Sequence, residues 1–243
     1  MNTNAPTVAA VVFDSGGILL KHRHAFLESD AVCQAIRSLG VGTADGQRIS
    51  QAAREAINWL SQQAGATTTE ESAAAQRMEY YRRLLAGVDA TASAELAAQL
   101  RDRLEGPESV EPFPEVREVL ATLRGRGLKL GVLSDGWAST IRLYERLGLA
   151  GCFQSWTFSA VVGCCKPDPR IYAAAGRDLG VEPARILFVD DLPANVDGAL
   201  RCGWQALWLN RAGGQPSIHP SRTIRDLREL LALCSSEMPP ASA

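Results

Sequence analysis

Apolar positions along the chain change their period twice. Val8 to Phe13 is a short, β-branched run that ends in Asp14 and meets Gly16 and Gly17 at once, the pattern of a buried strand opening into a loop. From about Ala25 to Glu105 the spacing becomes helical, with alanine-rich stretches such as ISQAAREAINWLSQQ and SAAAQRMEYYRRLLAG, and Thr68 with Glu71 makes a capping box. This segment predicts a bundle of roughly four helices. Beyond the break at PESVEPFP the period changes again. Helix PEVREVLATLRGRG leads into strand LKLGVLSD, a further helix and the half-alternating strand SWTFSA. Helix DPRIYAAAGRDLG, strand RILFVDD, helix PANVDGALRCG and strand WQALWLN follow, with TIRDLRELLAL as a closing amphipathic helix.

Strands that alternate with single helices imply right-handed crossovers and a parallel sheet covered on both faces. The expected fold is α/β: a Rossmann-like three-layer core with a five-stranded, mainly parallel sheet, and an α-helical insert after its first strand. The core is placed at residues 1–20 and 108–243, the insert at 21–107. The small, polar ends MNTNAP and SSEMPPASA are expected to fray.

In an open parallel sheet, ligands bind beyond the carboxyl ends of the strands. That rule gathers Asp14 from the first strand, Ser134 and Asp135 from the second, and Asp190 and Asp191 from the fourth. Lys166 precedes a helix on the same side. Carboxylates crowded at one rim repel unless a cation holds them, and an all-oxygen set suits Mg2+ better than zinc. Magnesium in turn suggests phosphate. An aspartate can attack phosphorus when a metal, a lysine and hydroxyl or backbone donors neutralise the phosphoryl oxygens, roles that suit Asp14, Lys166 and Ser134. Taken singly, each residue also has an ordinary structural reading as a turn cap, a helix cap or a surface lysine.

Together, FDSGG, LSDG, GCCKPDPRIY and FVDDLPANVDGA resemble, in the same order, the four motifs of the haloacid dehalogenase superfamily. The resemblance covers the core, and the insert is similar in place and helical character to that family's helical cap. It implies Asp14 as nucleophile and metal ligand, the Gly16 carbonyl as a second ligand, Asp191 as a direct metal ligand and Asp190 as its acidic neighbour, acting on the metal through water or from the inner shell. It also implies that Ser15, Gly16, Gly17, Ser134, Asp135 and Lys166 surround the phosphoryl group, with Trp137 placed to touch substrate and Asn195 orienting the metal shell. The expected ligand is a small phosphorylated metabolite, bound by a monomer or homodimer.

The motif departs from the phosphatase pattern at Gly16, where a second aspartate usually serves as acid/base, and at Ile18, usually threonine. A general acid contributes around a hundred- to ten-thousand-fold, so its loss has consequences. Three explanations stand open. The leaving group needs little protonation, as in anomeric sugar or acyl phosphates, which agrees with a resemblance to the branch that carries glycine here and includes sugar-1-phosphate phosphatases. Alternatively, His22 or His24 substitutes for the acid. Or the aspartate attacks carbon, as in the superfamily's dehalogenases, which need no acid; the pair Asp190 and Asp191 argues against that. A catalytically idle binding protein is the remaining alternative. Lys21, the sole lysine before Lys129, is the one residue of its kind that a phosphonatase-type reaction would have to use.

Composition narrows the partners further. With 25 basic and 27 acidic side chains and no basic run, nucleic acid is disfavoured. The first residues lack a basic leader and a spanning apolar stretch, so no membrane association and a cytoplasmic location are expected. The six cysteines lack zinc-site spacing and are expected to be reduced thiols, although adjacent Cys164 and Cys165 precede Lys166 and invite a redox reading. In the insert, Arg77, Tyr80, Tyr81 and Trp59 are candidates to face substrate, with packing the commoner fate of such residues.

Overall fold

In the computed structural model, the described residues are 7–22, 29–40, 45–63, 70–88, 90, 93–105, 110–211 and 223–234. Strand β1 (Ala10–Phe13) is buried at every position, as a central strand of a doubly covered sheet must be. Its residues alternate between layers. Val11 and Phe13 join one core with helix α5 (Val116–Gly125), while Ala10 and Val12 join the other with helices α8 (Pro169–Leu179) and α9 (Pro193–Arg201). Burying a side chain of this size contributes about 1.5–3 kcal/mol, so the strand carrying Asp14 is among the most firmly held in the molecule.

β1 pairs in parallel with β4 (Lys129–Ser134) on one side and β6 (Ile186–Asp190) on the other. β5 (Ser155–Phe158) extends the first side, and β7 (Gln205–Leu209) and β8 (Thr223–Ile224) the second, giving the order β5-β4-β1-β6-β7-β8. The chain adds β4 and β5 to one edge of β1 and then returns to build the other, so the switch point of the sheet lies at β1. The expected five strands become six. The additional strand is the start of TIRDLRELLAL: Thr223 and Ile224 pair with Trp208 and Leu209 at the sheet edge, and only Glu229–Leu233 forms a helix, α10. β-branched side chains beside an open edge favour pairing over a first helical turn.

The helical insert consists of α1 (Ser29–Ser38), α2 (Gly46–Gln62), α3 (Glu70–Gly87) and α4 (Ala94–Glu105), packed around a third apolar cluster of their own. Tyr80 and Tyr81 are buried in that cluster and Trp59 packs against it, with the Arg83 guanidinium 4.4 Å over the Trp59 ring. The capping box at Thr68, both polar termini and His24 lie outside the described residues, as does the side chain of His22. A short antiparallel ladder, β2 (Leu20–His22) with β3 (Val110–Pro112), closes the base of the insert. Sequence reading missed it because each strand is three residues long and its partner lies about ninety positions away, with no hairpin turn to announce it. Among the described residues, no helix is long and apolar enough to cross a membrane.

Candidate active site

The tips of β1, β4 and β6 are neighbours, and Asp14, Ser134 with Asp135, and Asp190 with Asp191 therefore stand at one rim. Lys166 arrives from the loop ahead of α8, whose first turn is fixed by Asp168: its carboxylate accepts the Arg170 N–H at 2.9 Å, and Pro169 opens the helix. That loop is tied back to the β4 tip, where Asp135 accepts the Lys166 backbone N–H at 2.9 Å. Asp135 thus helps place the lysine.

The Lys166 ammonium is 2% exposed and donates to Asp14 Oδ1 at 2.6 Å and Asp190 Oδ2 at 2.7 Å. Burial alone would lower its pKa, but the carboxylates of Asp14, Asp190 and Asp135 more than reverse this and hold it above the ordinary lysine range. Asp190 is fully buried. Besides Lys166 it accepts the Leu192 N–H at 2.8 Å and the Asn195 amide at 3.1 Å on both oxygens. Both of its oxygens are engaged within the protein.

Asp14 differs. Burial pushes its pKa up to about 7, with Asp190 and Asp191 adding to the rise and Lys166 opposing it. Asp191, at the surface, is raised as well, by burial of its carboxylate and then by Asp190. Its carboxylate lies against Gly17, in the space a side chain there would fill, and Gly17 has a φ of 73° that few other residues adopt. The Asp191 carbonyl accepts the Trp208 indole N–H at 2.9 Å, which fixes the backbone behind it.

Gly16 sits in an isolated bridge with Leu20, flanked by Gly17 N–H to Leu20 O at 2.9 Å and Leu20 N–H to Ser15 O at 2.9 Å. Its own N–H takes part in neither of these bonds. A Cβ placed at Gly16 would have nothing within 4 Å. Space for a longer side chain is therefore present at Gly16. The Ser15 hydroxyl turns inward to the Tyr144 hydroxyl at 2.7 Å, so its contribution to a ligand is left to its backbone.

Above the rim is a cavity of about 260 Å3, lined by Ser15, Gly16, Ser134, Asp135 and Trp137 from the core and by Arg77 and Glu105 from the insert. Lys21 is absent from that lining; it pairs with Glu111 at 2.9 Å in the β2–β3 ladder. A larger groove of about 510 Å3, beside Tyr172 and Trp204 on the α8 flank, contains none of the rim residues and so none of this chemistry. The cysteines are free thiols. Burial raises the pKa of both Cys164 and Cys165, with Asp168 adding at the first and Asp135 at the second, so they stay protonated rather than reactive.

Sequence reading missed Arg211. Its Nε and Nη2 donate to the carbonyls of Gly17 at 3.0 Å and Ile18 at 2.9 Å, Nη1 forms an ion pair with buried Glu115 at 2.7 Å, and the guanidinium lies 3.6 Å over the Phe113 ring. One side chain thereby clamps the turn after Asp14 to the start of α5. The strand-tip rule, extended one strand further to the end of WQALWLN, points to this position.

Comparison with known proteins agrees with this architecture. The chain is 29% identical over 238 residues to Phosphatase MT3486 of Mycobacterium tuberculosis (strain CDC 1551 / Oshkosh), covering 96% of this chain and 100% of that protein. It is 37% identical over 105 residues to Haloacetate dehalogenase H-2 of Moraxella sp. (strain B), covering 43% of this chain and 47% of that one. Its fold superposes on the crystal structure of a HAD phosphatase from Thermococcus onnurineus with a TM-score of 0.65 at 23% identity, over 93% of this chain and 97% of that one. A haloacid dehalogenase-like hydrolase family matches residues 8–203, from the strand that carries Asp14 to the turn after α9, and with that match the chain belongs to the haloacid dehalogenase-like hydrolases.

Proposed function

We propose that this hydrolase cleaves small phosphate monoesters, with Asp14 as nucleophile and Mg2+ as its metal. The observation that carries the proposal is a surplus of carboxylate: Asp14, Asp135, Asp190 and Asp191 share the rim with Lys166 as the lysine among them. Such a rim repels a phosphate dianion until a cation joins it. The donors fit a hard cation. Asp14 and Asp191 with the Gly16 carbonyl would hold it, all of them oxygen, and Gly17 leaves the room in which the Asp191 carboxylate lies. With both oxygens engaged by Lys166, Asn195 and the Leu192 N–H, Asp190 supports this set through its charge and by anchoring the lysine.

When bound, the metal would neutralise charge on the phosphoryl oxygens. Lys166 holds Asp14 Oδ1, so Oδ2 is the atom that attacks phosphorus. As the Oδ2–P bond forms, the ester P–O bond breaks and the alcohol oxygen departs. The Gly16 N–H and the Ser134 hydroxyl stabilise the phosphoryl oxygens during transfer. Water then attacks phosphorus, freeing inorganic phosphate and regenerating the Asp14 carboxylate. Gly16 offers no proton to the departing oxygen, which favours anomeric, acyl or aryl phosphates, whose leaving oxygens need little protonation. In this reading the helical insert is a cap that excludes water and contacts substrate.

Displacement of halide from a 2-haloacid is the second reading. The partial identity to a haloacetate dehalogenase favours it, and it needs no acid at position 16. It has no use for the surplus of carboxylate. The two are separated by measuring phosphate release from para-nitrophenyl phosphate with and without Mg2+, alongside halide release from 2-chloropropionate. Magnesium-dependent phosphate release is expected; halide release without phosphate release would reverse the assignment.

A further inference from the structure

The cavity joins strand tips of the core to helices of the insert. One side of its lining is Ser15 and Gly16 after β1 with Ser134 and Asp135 at the β4 tip; the other wall, where insert meets core, carries Arg77 on α3 and Arg146 at the end of α6 (Thr140–Arg146). Arg77 crosses from the insert to the core. Its Nη2 donates to Ser139 at 2.8 Å, its Nη1 pairs with Glu105 at 3.2 Å, and its guanidinium plane lies 4.3 Å over the Trp137 ring. Its Nε is buried and has no hydrogen-bond partner. An arginine held over an indole by two fixed contacts is preorganised to meet an anionic oxygen.

Glu105 does not cancel this wall. Its Oε1 accepts the Tyr81 hydroxyl at 2.7 Å and its Oε2 faces Arg77, so both oxygens are spoken for within the insert. Arg146 is exposed and lines the same cavity, with no ion pair among the described residues. Two guanidinium groups of the cavity lining therefore stand against the one carboxylate of Glu105. The cavity volume of about 260 Å3 lies below the range of about 300–1,000 Å3 common for drug-sized ligands, so both sides are reached by one short molecule.

We propose that the substrate is a short phosphate monoester bearing a second anionic group, a carboxylate, and that the Arg77 guanidinium in the cavity lining recognises this group, with exposed Arg146 adding charge. This rests on the phosphatase reading above and deepens it. Arg77 then selects among phosphate esters by what the leaving group carries, while the rim performs the same displacement on all of them.

The test is a matched pair of aryl esters, 4-carboxyphenyl phosphate and 4-(hydroxymethyl)phenyl phosphate, which differ in a carboxylate against a hydroxymethyl group and share a leaving oxygen that needs little protonation. Wild-type protein should favour the acid, and Arg77→Met should reduce the ratio of kcat/KM values for the pair by about 10- to 100-fold, the worth of one charge-assisted hydrogen bond. Arg77→Lys should restore part of the preference. Should Arg77→Met misfold because Glu105 is left facing no cation, the double variant Arg77→Met with Glu105→Gln removes that charge and gives the same comparison. Binding of 4-carboxyphenyl phosphate to Asp14→Asn by calorimetry, with and without Arg77→Met, gives a readout independent of turnover, and weaker binding in the double variant is expected. An unchanged ratio, with both esters losing activity alike, would make Arg77 a structural tie between insert and core and overturn the proposal. Turnover of para-nitrophenyl phosphate without preference for the acid would overturn it while leaving the phosphatase reading standing; no turnover of any phosphate ester would remove both.

Discussion

Two clusters of charge, one at the strand tips and one where the insert meets the core, are built differently. At the rim, the Lys166 side chain is 2% exposed and Asp190 is 0% exposed, and every partner sits on a strand tip or a loop tied to one. At the wall, Arg77 is 16% and Glu105 25% exposed, and both are carried by helices of the insert. The rim is fixed in geometry by the sheet; the wall depends on how two separately packed units meet. Chemistry belongs with the first kind of site, where atoms must be held to a fraction of an ångström, and selection among substrates with the second.

If this contrast holds, truncating the rim cation must cost far more than truncating the wall cation. Lys166→Met leaves Asp14 and Asp190 buried without their cation and should destabilise the fold by about 3–5 kcal/mol, with turnover reduced by about 10³-fold. Arg77→Met, whose partner retains some contact with water, should cost about 1 kcal/mol. Chemical denaturation of both variants measures the difference, and equal costs would erase the distinction. Next in size is Gly16→Asp. Because a side chain there meets open space, the variant should fold and raise kcat/KM for unactivated alkyl phosphates by about 100-fold, with a smaller gain for aryl phosphates. Equal gains for both classes would show that leaving-group protonation was never the limitation.

Smaller again is Arg211→Met, which releases the Gly17 and Ile18 carbonyls without touching substrate. We expect about a tenfold loss in kcat with KM little changed for para-nitrophenyl phosphate, because the Asp14 turn loses alignment rather than affinity. A loss confined to KM would place Arg211 elsewhere in the cycle. The smallest effect concerns the wall. Burial raises the Glu105 pKa above its ordinary 4.5, against the opposing pull of Arg77. A carboxyl group whose folded value is raised binds its proton more tightly in the native state, so its stabilising contribution is complete below pH 4.5 and declines as pH rises through the higher folded value. The Tm of wild type relative to Glu105→Gln should therefore fall as pH is raised from acid toward neutral. A difference independent of pH would mean that Glu105 titrates normally.

The same contrast explains what was legible in the sequence. Asp14, Ser134, Asp190 and Asp191 each end an apolar run, and a parallel sheet brings the ends of such runs together, so the rim could be located from periodicity and a strand-tip rule. Lys166 followed because it precedes a strongly amphipathic helix. Arg77 gave no comparable signal: an arginine on a helix of an insert has the same local pattern whether it packs, pairs with solvent or lines a cavity, and only the meeting of α3 with Trp137 and Ser139 decides. Arg211 was missed for a similar reason, since its partners are backbone carbonyls, which carry no residue identity. The sixth strand escaped because Thr223 and Ile224 sit directly before a helical pattern, and edge pairing with β7 outweighs two residues of helix propensity.

The central claim is that Asp14 attacks phosphorus. A single turnover of para-nitrophenyl phosphate with Mg2+, quenched in acid and analysed by peptide mass spectrometry, tests it most directly. The expected result is a phosphorylated peptide spanning Asp14 that is absent from Asp14→Asn, together with loss of turnover in that variant on the order of 10⁴-fold or more and an unchanged far-ultraviolet circular dichroism spectrum. Undiminished phosphate release by correctly folded Asp14→Asn would contradict the claim outright.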